Sequence, residues 1–180
     1  MTEEIRELHE HAEEAHRNPS LVPVTLSMAI LAVVLAAISL LGHRAHTEEL
    51  LLQNKATDQW AYFQARSIRR HTYELFLDLL SVVNPKDAGA VEKLKEKYSS
   101  EIKRYVDEQN DIQSEAQQFE REVVTQRHKG NRFDLGEVCL EVGIVLTSLT
   151  LLTRRKLFWQ LGGLAGLVGL AVAASAMWVK

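Results

Sequence analysis

The sequence predicts an all-α protein with three transmembrane helices and a long extramembrane antiparallel helical hairpin of coiled-coil character. Three observations predict it. First, charge is segregated: residues 21–42, 135–152 and 157–179 hold no Lys or Arg and only two acidic residues, whereas 43–132 holds 15 basic and 15 acidic side chains. Second, apolar residues within that charged stretch recur every three or four positions, the helical period. Third, Asn84-Pro85-Lys86-Asp87 interrupts it near the middle. The segregation excludes a single soluble core. One Cys excludes a disulfide-stapled secreted domain, and a charged stretch that nets zero is not a nucleic-acid surface.

Met1–Ser20 forms an acidic tail containing His9, His11 and His16. His9, Glu13 and His16 share a helix face at a spacing able to hold a divalent ion, but a solvated acidic helix ending before Asn18-Pro19 is the commoner meaning of such a pattern, and no metal site is expected. Leu21–Gly42 is uncharged over 22 residues, which at about 1.5 Å per residue crosses a ~30 Å hydrocarbon core. A cleaved leader would have a basic start and a shorter apolar run, so 21–42 reads as a span that is kept. Leu157–Val179 is a second strong span, with Trp159 and Trp178 near its ends at the expected interfaces. Leu135–Leu152 is weaker, being short and carrying Glu137 and Glu141. The link Thr153–Lys156 is so tight that these last two spans must be antiparallel neighbours.

Arg154, Arg155 and Lys156 make this link the densest basic cluster in any short loop, which places it in the cytoplasm. With three spans the amino terminus is then cytoplasmic too, and 43–132 is extracytoplasmic.

In the second half of 43–132 a seam runs through Val91, Leu94, Tyr98, Ile102, Tyr105, Gln109, Ile112, Ala116, Phe119 and Val123. Glu, Lys, Gln and Arg fill the positions between, as suits a solvated helix. The first half has its own stripe at Ala61, Ala65, Ile68, Thr72, Leu75, Leu79 and Val82, expected to face that seam. Pro85 disfavours helix at the residue before it and Asp87 can cap the second arm, so the turn falls near 84–87. The first span can run straight into the first arm, because only Pro23, tolerated in a first turn, and Gly42 disfavour helix before Asn84. A compact three-helix domain broken between Leu50 and Thr57 is the competing arrangement. Two isolated helices bury little apolar area for the entropy they lose, so a homo-oligomer is expected, with an unidentified membrane protein as the other possible partner.

Glu137 and Glu141 are the least ordinary residues, since carboxylates in hydrocarbon are costly unless paired, hydrated or protonated. In the three-span topology His43, Arg44 and His46 lie at matching depth, suggesting Arg44–Glu137 and His43–Glu141 pairs. These four form a candidate intramembrane polar cluster: a clasp between helices by the commoner reading, a proton or cation relay by the sharper one. The first span carries small residues at Thr25, Ala29, Ala32, Ala36 and Ser39, with His43 next in step; the last carries Gly162, Gly166 and Gly169, with Ala173. Such seams allow close helix approach, within the chain or between copies. Cys139 reads as an apolar filler. No catalytic constellation, phosphate loop or cofactor motif occurs in the sequence, and no enzyme activity is expected.

The stretch NKATDQWAYFQA at Asn54–Ala65 follows a span ending AAISLLGHRAHTEELL and precedes a closing hairpin with TRRKLFW. Together these resemble the bacterial domain-of-unknown-function family 4337, over most of the chain. The resemblance implies a small bacterial inner-membrane protein, and it brings no activity, cofactor or binding residue. Read physically, Trp60, Tyr62 and Phe63 occupy more than one helix face, so some of them should pack in a larger bundle or meet a partner. The expected role is a self-associating helical scaffold or tether. The alternative is an accessory subunit of a transport or ion-coupled complex that uses the intramembrane carboxylates.

Overall fold

The computed structural model describes residues 21–82 and 88–179. Among them there is no strand. Helix α1 is Val22–Val82, 61 residues; α2 is Ala88–Thr153, 66 residues; α3 is Lys156–Ser175, 20 residues, followed by a single 3-10 turn at Ala176–Trp178. Each of the three contains a stretch long and apolar enough to cross a membrane. The tail with His9, Glu13 and His16 and the turn at 84–87 lie outside the described residues.

Helix α1 continues through Gly42 and through 50–57, so the break required by a compact three-helix domain is absent. Helix α2 likewise runs unbroken through Gly130, Gly136 and Gly143. It ends where Arg154 enters the left-handed region at φ 55°, donating its N–H to the Thr150 carbonyl at 2.8 Å. This is the αL stop usually made by Gly. Arg155 is extended, and α3 starts at the next residue. The link is therefore two non-helical residues long.

The chain divides into two compact units. The first comprises 21–48 and 125–179. Its core takes one residue from each helix, Ile38, Leu140 and Ala173, with Leu31, Val34, Leu35 and Phe133 packed around them. The face of α1 turned to this core carries Val24, Met28, Ile38 and Ala45, all buried. The small-residue row is not that face: Thr25, Ala29, Ala32 and Ser39 are half-exposed, and Ala36 and His43 are exposed. Size complementarity explains the choice. Leu31 fills a notch on α3 at Gly166, where an added Cβ would strike its Cδ2 at 2.6 Å, so bulky side chains of α1 meet small ones of α3.

The second unit comprises 49–124. The seam of α2 sits as the sequence predicts where it matters most, with Tyr105, Gln109, Ile112, Ala116 and Val123 buried. The stripe of α1 does not. Ala61, Ala65, Ile68, Thr72, Leu75, Leu79 and Val82 are all exposed, and the residues turned to α2 are Leu52, Ala56, Gln59, Phe63, Arg66, Arg70 and Tyr73. Both rows step by four and three, and they lie two residues apart, about 200° around the helix, on opposite faces. The seam of α2 decides between them. Its centre is Tyr98, Tyr105 and Gln109, which stack on Tyr73 and accept a hydrogen bond from Arg70, contacts that an Ile-Leu row cannot make.

Candidate functional site

In the first unit, Gly42 and Ala45 of α1 are buried, which turns His46 toward α2 and leaves His43 and Arg44 exposed. His46 Nε2 lies 3.0 Å from Asp134 Oδ2 and 3.2 Å from its Oδ1. The imidazole rests on bare backbone: a Cβ at Gly130 would come within 2.7 Å of its Cε1. Asp134 also borders Gly42. The polar closure between α1 and α2 is thus His46–Asp134. Neither Arg44–Glu137 nor His43–Glu141 is joined by a hydrogen bond or ion pair among the described residues. Glu137 is half-buried and Glu141 exposed, because the buried row of α2 in this unit is Gly136, Leu140, Gly143, Thr147 and Thr150.

That row faces Gly162, Gly166, Gly169 and Ala173 of α3, all buried. An added Cβ on Gly136 would stand 2.8 Å from the Gly169 carbonyl oxygen, and one on Gly169 would stand 2.7 Å from that of Gly136. Gly143 and Gly162 repeat the arrangement one heptad away. Thr147 satisfies its buried hydroxyl by donating to the Gly143 carbonyl at 2.7 Å. Cys139 is a half-buried free thiol beside Gly169. Two further ties close the unit: Trp159 Nε1 donates to Ser27 Oγ at 3.0 Å, and Arg132 Nη1 donates to Ser175 Oγ at 2.9 Å. The sequence places His46 beside His43 and Arg44 but gives it no partner, and it leaves Asp134, Gly136 and Gly143 unmarked. The signal for the glycines was their seven-residue spacing, matching Gly162 and Gly169.

In the second unit the aromatic triplet separates. Trp60 donates from Nε1 to Glu120 Oε1 at 2.8 Å and meets Phe63 edge-on, with ring centroids 5.6 Å apart. Tyr62 is exposed and accepts a hydrogen bond from Arg66, whose guanidinium lies 4.8 Å from the phenol ring centroid. Further along, Arg66 Nη1 reaches Glu108 at 3.1 Å, and Arg70 Nη1 donates to Gln109 Oε1 at 2.8 Å. Tyr73 stacks on Tyr98 and on Tyr105, at 5.3 and 5.8 Å. Burial opposes ionisation of the Tyr105 phenol, but hydrogen bonds from Arg104 and Arg69, with the charge of Arg104, outweigh it and lower its pKa. The neighbouring Tyr73 moves the other way, chiefly through the charge of Tyr105 and then burial. These groups knit helices together. Among the described residues no cluster of three or more His, Cys, Asp or Glu is placed to hold a metal.

The fold and these contacts define a class: an all-α protein whose three helices are each long and apolar enough to cross a membrane. The family described as Domain of unknown function (DUF4337) matches residues 20–179, and the chain belongs to it. No curated protein and no solved structure matches the chain.

Proposed function

We propose that the protein is a self-associating helical scaffold or tether, held in the bacterial inner membrane by three helices, with 43–132 forming an extramembrane antiparallel hairpin of coiled-coil type. One observation carries this reading: in the second unit α1 has two heptad rows on opposite faces, one engaged by α2 and one left apolar and open. A surface helix of a self-sufficient domain is polar on its outer side. The hairpin is supported by the order of the contacts, since Gln59 pairs with Glu115, Arg66 with Glu108 and Tyr73 with Tyr98, the partner's number falling as the first rises. The reading assigns no catalysis and no cofactor. It places the amino terminus and the Arg154–Arg155 link in the cytoplasm, on the strength of the basic cluster there.

Two measurements test it. Single Cys residues at Ser100 and Thr153, in a Cys139→Ala background, should label in intact cells at position 100 and only after permeabilisation of the inner membrane at 153; the reverse overturns the orientation. Energy transfer between differently labelled copies in membranes should report association, and none at physiological density overturns the scaffold.

A second reading, an accessory subunit of an ion-coupled complex, has one specific observation in its favour. Glu141 is exposed among Val138, Val142 and Val145, an ionisable group on the outer face of an apolar segment. A Glu137→Gln, Glu141→Gln variant that keeps its association but loses a proton- or cation-dependent phenotype would favour that reading; one that merely dissociates would favour the scaffold.

A further inference from the structure

We propose that the outward row of α1 in the second unit, Ala61, Ala65, Ile68, Thr72, Leu75, Leu79 and Val82, is the contact surface between two copies of this chain, paired in parallel and in register. This deepens the scaffold reading and rests on its claim of self-association.

The row is a heptad seam sustained over three repeats, with Ala65, Thr72 and Leu79 at one core position and Ala61, Ile68, Leu75 and Val82 at the other. Such spacing keeps one face turned to a second helix and serves no purpose toward water. The large residues of the row are open to solvent: Ile68 66%, Leu75 68%, Leu79 55% and Val82 79%. With Phe76 beside them, at roughly 100 Å² of open surface apiece, the row offers about 500 Å² per copy, so pairing two copies removes about 1,000 Å², the lower limit for a specific interface.

The occupant is set by self-complementarity. Two copies sharing one bilayer in one topology are related by rotation about its normal, so their α1 helices run in the same sense. Parallel pairing sets Gln64 opposite Arg69, and His71 opposite Phe76, on the flanks of the seam, and it brings no like charges together. Ala61 and Ala65 at one end let the backbones approach, and the large aliphatic residues fill the other end. In the first unit the exposed or half-exposed row of α1 has the same four-three spacing in small residues, Thr25, Ala29, Ala32, Ala36 and Ser39, which is a surface permitting close approach of like helices in lipid.

The test uses the full-length protein in membranes, in a Cys139→Ala background. Ile68→Cys and Leu75→Cys should each form a disulfide-linked dimer under mild oxidation, while Ser100→Cys, exposed on α2, should not. Ile68→Asp with Leu75→Asp should weaken dimerisation at least about tenfold, because each charge would be buried in an apolar seam. Circular dichroism checks that this variant stays helical, and Leu75→Ala serves if it does not. Loss of crosslinking at 68 and 75 while energy transfer still reports association overturns this interface and leaves the scaffold standing. Absence of association by both methods overturns the scaffold as well. A crosslink from position 68 to a polypeptide of another mass, or burial of a fluorophore there in lipid vesicles at high lipid-to-protein ratio, overturns the proposal in favour of a foreign partner or the bilayer surface.

Discussion

Gly143 and Gly162 face each other so closely that a Cβ on the first would lie 2.9 Å from the carbonyl oxygen of the second, and a Cβ on the second 2.7 Å from that of the first. The obstacle on both sides is backbone, which cannot swing aside. Gly136 and Gly169 form the same reciprocal pair seven residues away on each helix. This proximity makes the van der Waals contact between the two helices large, the kind of packing on which helices able to lie in lipid depend.

Gly143→Ala and Gly162→Ala should each therefore destabilise the α2–α3 pair by about 1–3 kcal/mol, the range found for overpacked sites. Gly163→Ala is the control, since an added Cβ there meets nothing within 4 Å. Thermal unfolding in detergent micelles, followed by circular dichroism, measures the difference. Equal Tm values for the three variants would contradict the packing.

The αL stop at Arg154 makes the opposite prediction. A side chain in that conformation costs about 1–2 kcal/mol that Gly does not incur, partly offset by Gly's larger chain entropy. Arg154→Gly should raise stability by about 0.5–1 kcal/mol, and Arg154→Val should lower it, because a β-branched residue suits αL least. Denaturant titration of the purified variants decides.

Ser27 and Trp159 link α1 to α3 through one hydrogen bond, and the Ser27 hydroxyl donates its own proton to the Val24 carbonyl at 2.7 Å. Ser27→Ala should cost about 1 kcal/mol, with Trp159→Phe similar and the double variant little worse than either single one. Additive losses would show that the bond does not couple the two helices. Indole fluorescence gives a second readout, since the Trp159 N–H loses its partner in Ser27→Ala.

The stacked tyrosines predict opposite pH responses. Tyr105 has a folded pKa below the ordinary 10.0, so its ionisation adds stability that is complete above 10.0 and is lost as pH falls through the folded value. Tyr73 has a folded pKa above 10.0, so its contribution is complete below 10.0 and is lost as pH rises through its folded value. Phenolate absorbance during alkaline titration should show the early component missing in Tyr105→Phe and the late one missing in Tyr73→Phe. Tyr105→Phe should also let Tyr73 titrate earlier, because the charge of Tyr105 is the main influence holding Tyr73 up.

Much of the architecture is legible in the sequence. Charge segregation marks the apolar stretches, and the seam of α2 through Tyr105, Gln109, Ile112 and Ala116 is given by period alone. The glycines of α3 are recognisable as packing residues, whereas their partners Gly136 and Gly143 stand seven residues apart with Leu140 between them and form no small-xxx-small step of their own. The polar closure is legible only in part. His43, Arg44 and His46 stand close together along α1, but position along a helix says nothing about rotation, and of these three it is His46 that faces Asp134.

Periodicity determines which residues share a face of their own helix, and hydropathy determines which stretches can lie in lipid. Both are properties of one helix taken alone, and the sequence by itself settled them. Between Leu52 and Val82 it offered two rows of equal spacing, and the more apolar one looked inward. Only the tertiary structure decided that the row through Phe63, Arg66, Arg70 and Tyr73 meets α2, because the choice depends on what stands opposite: stacking rings, a carboxylate for Arg66 and an amide for Arg70.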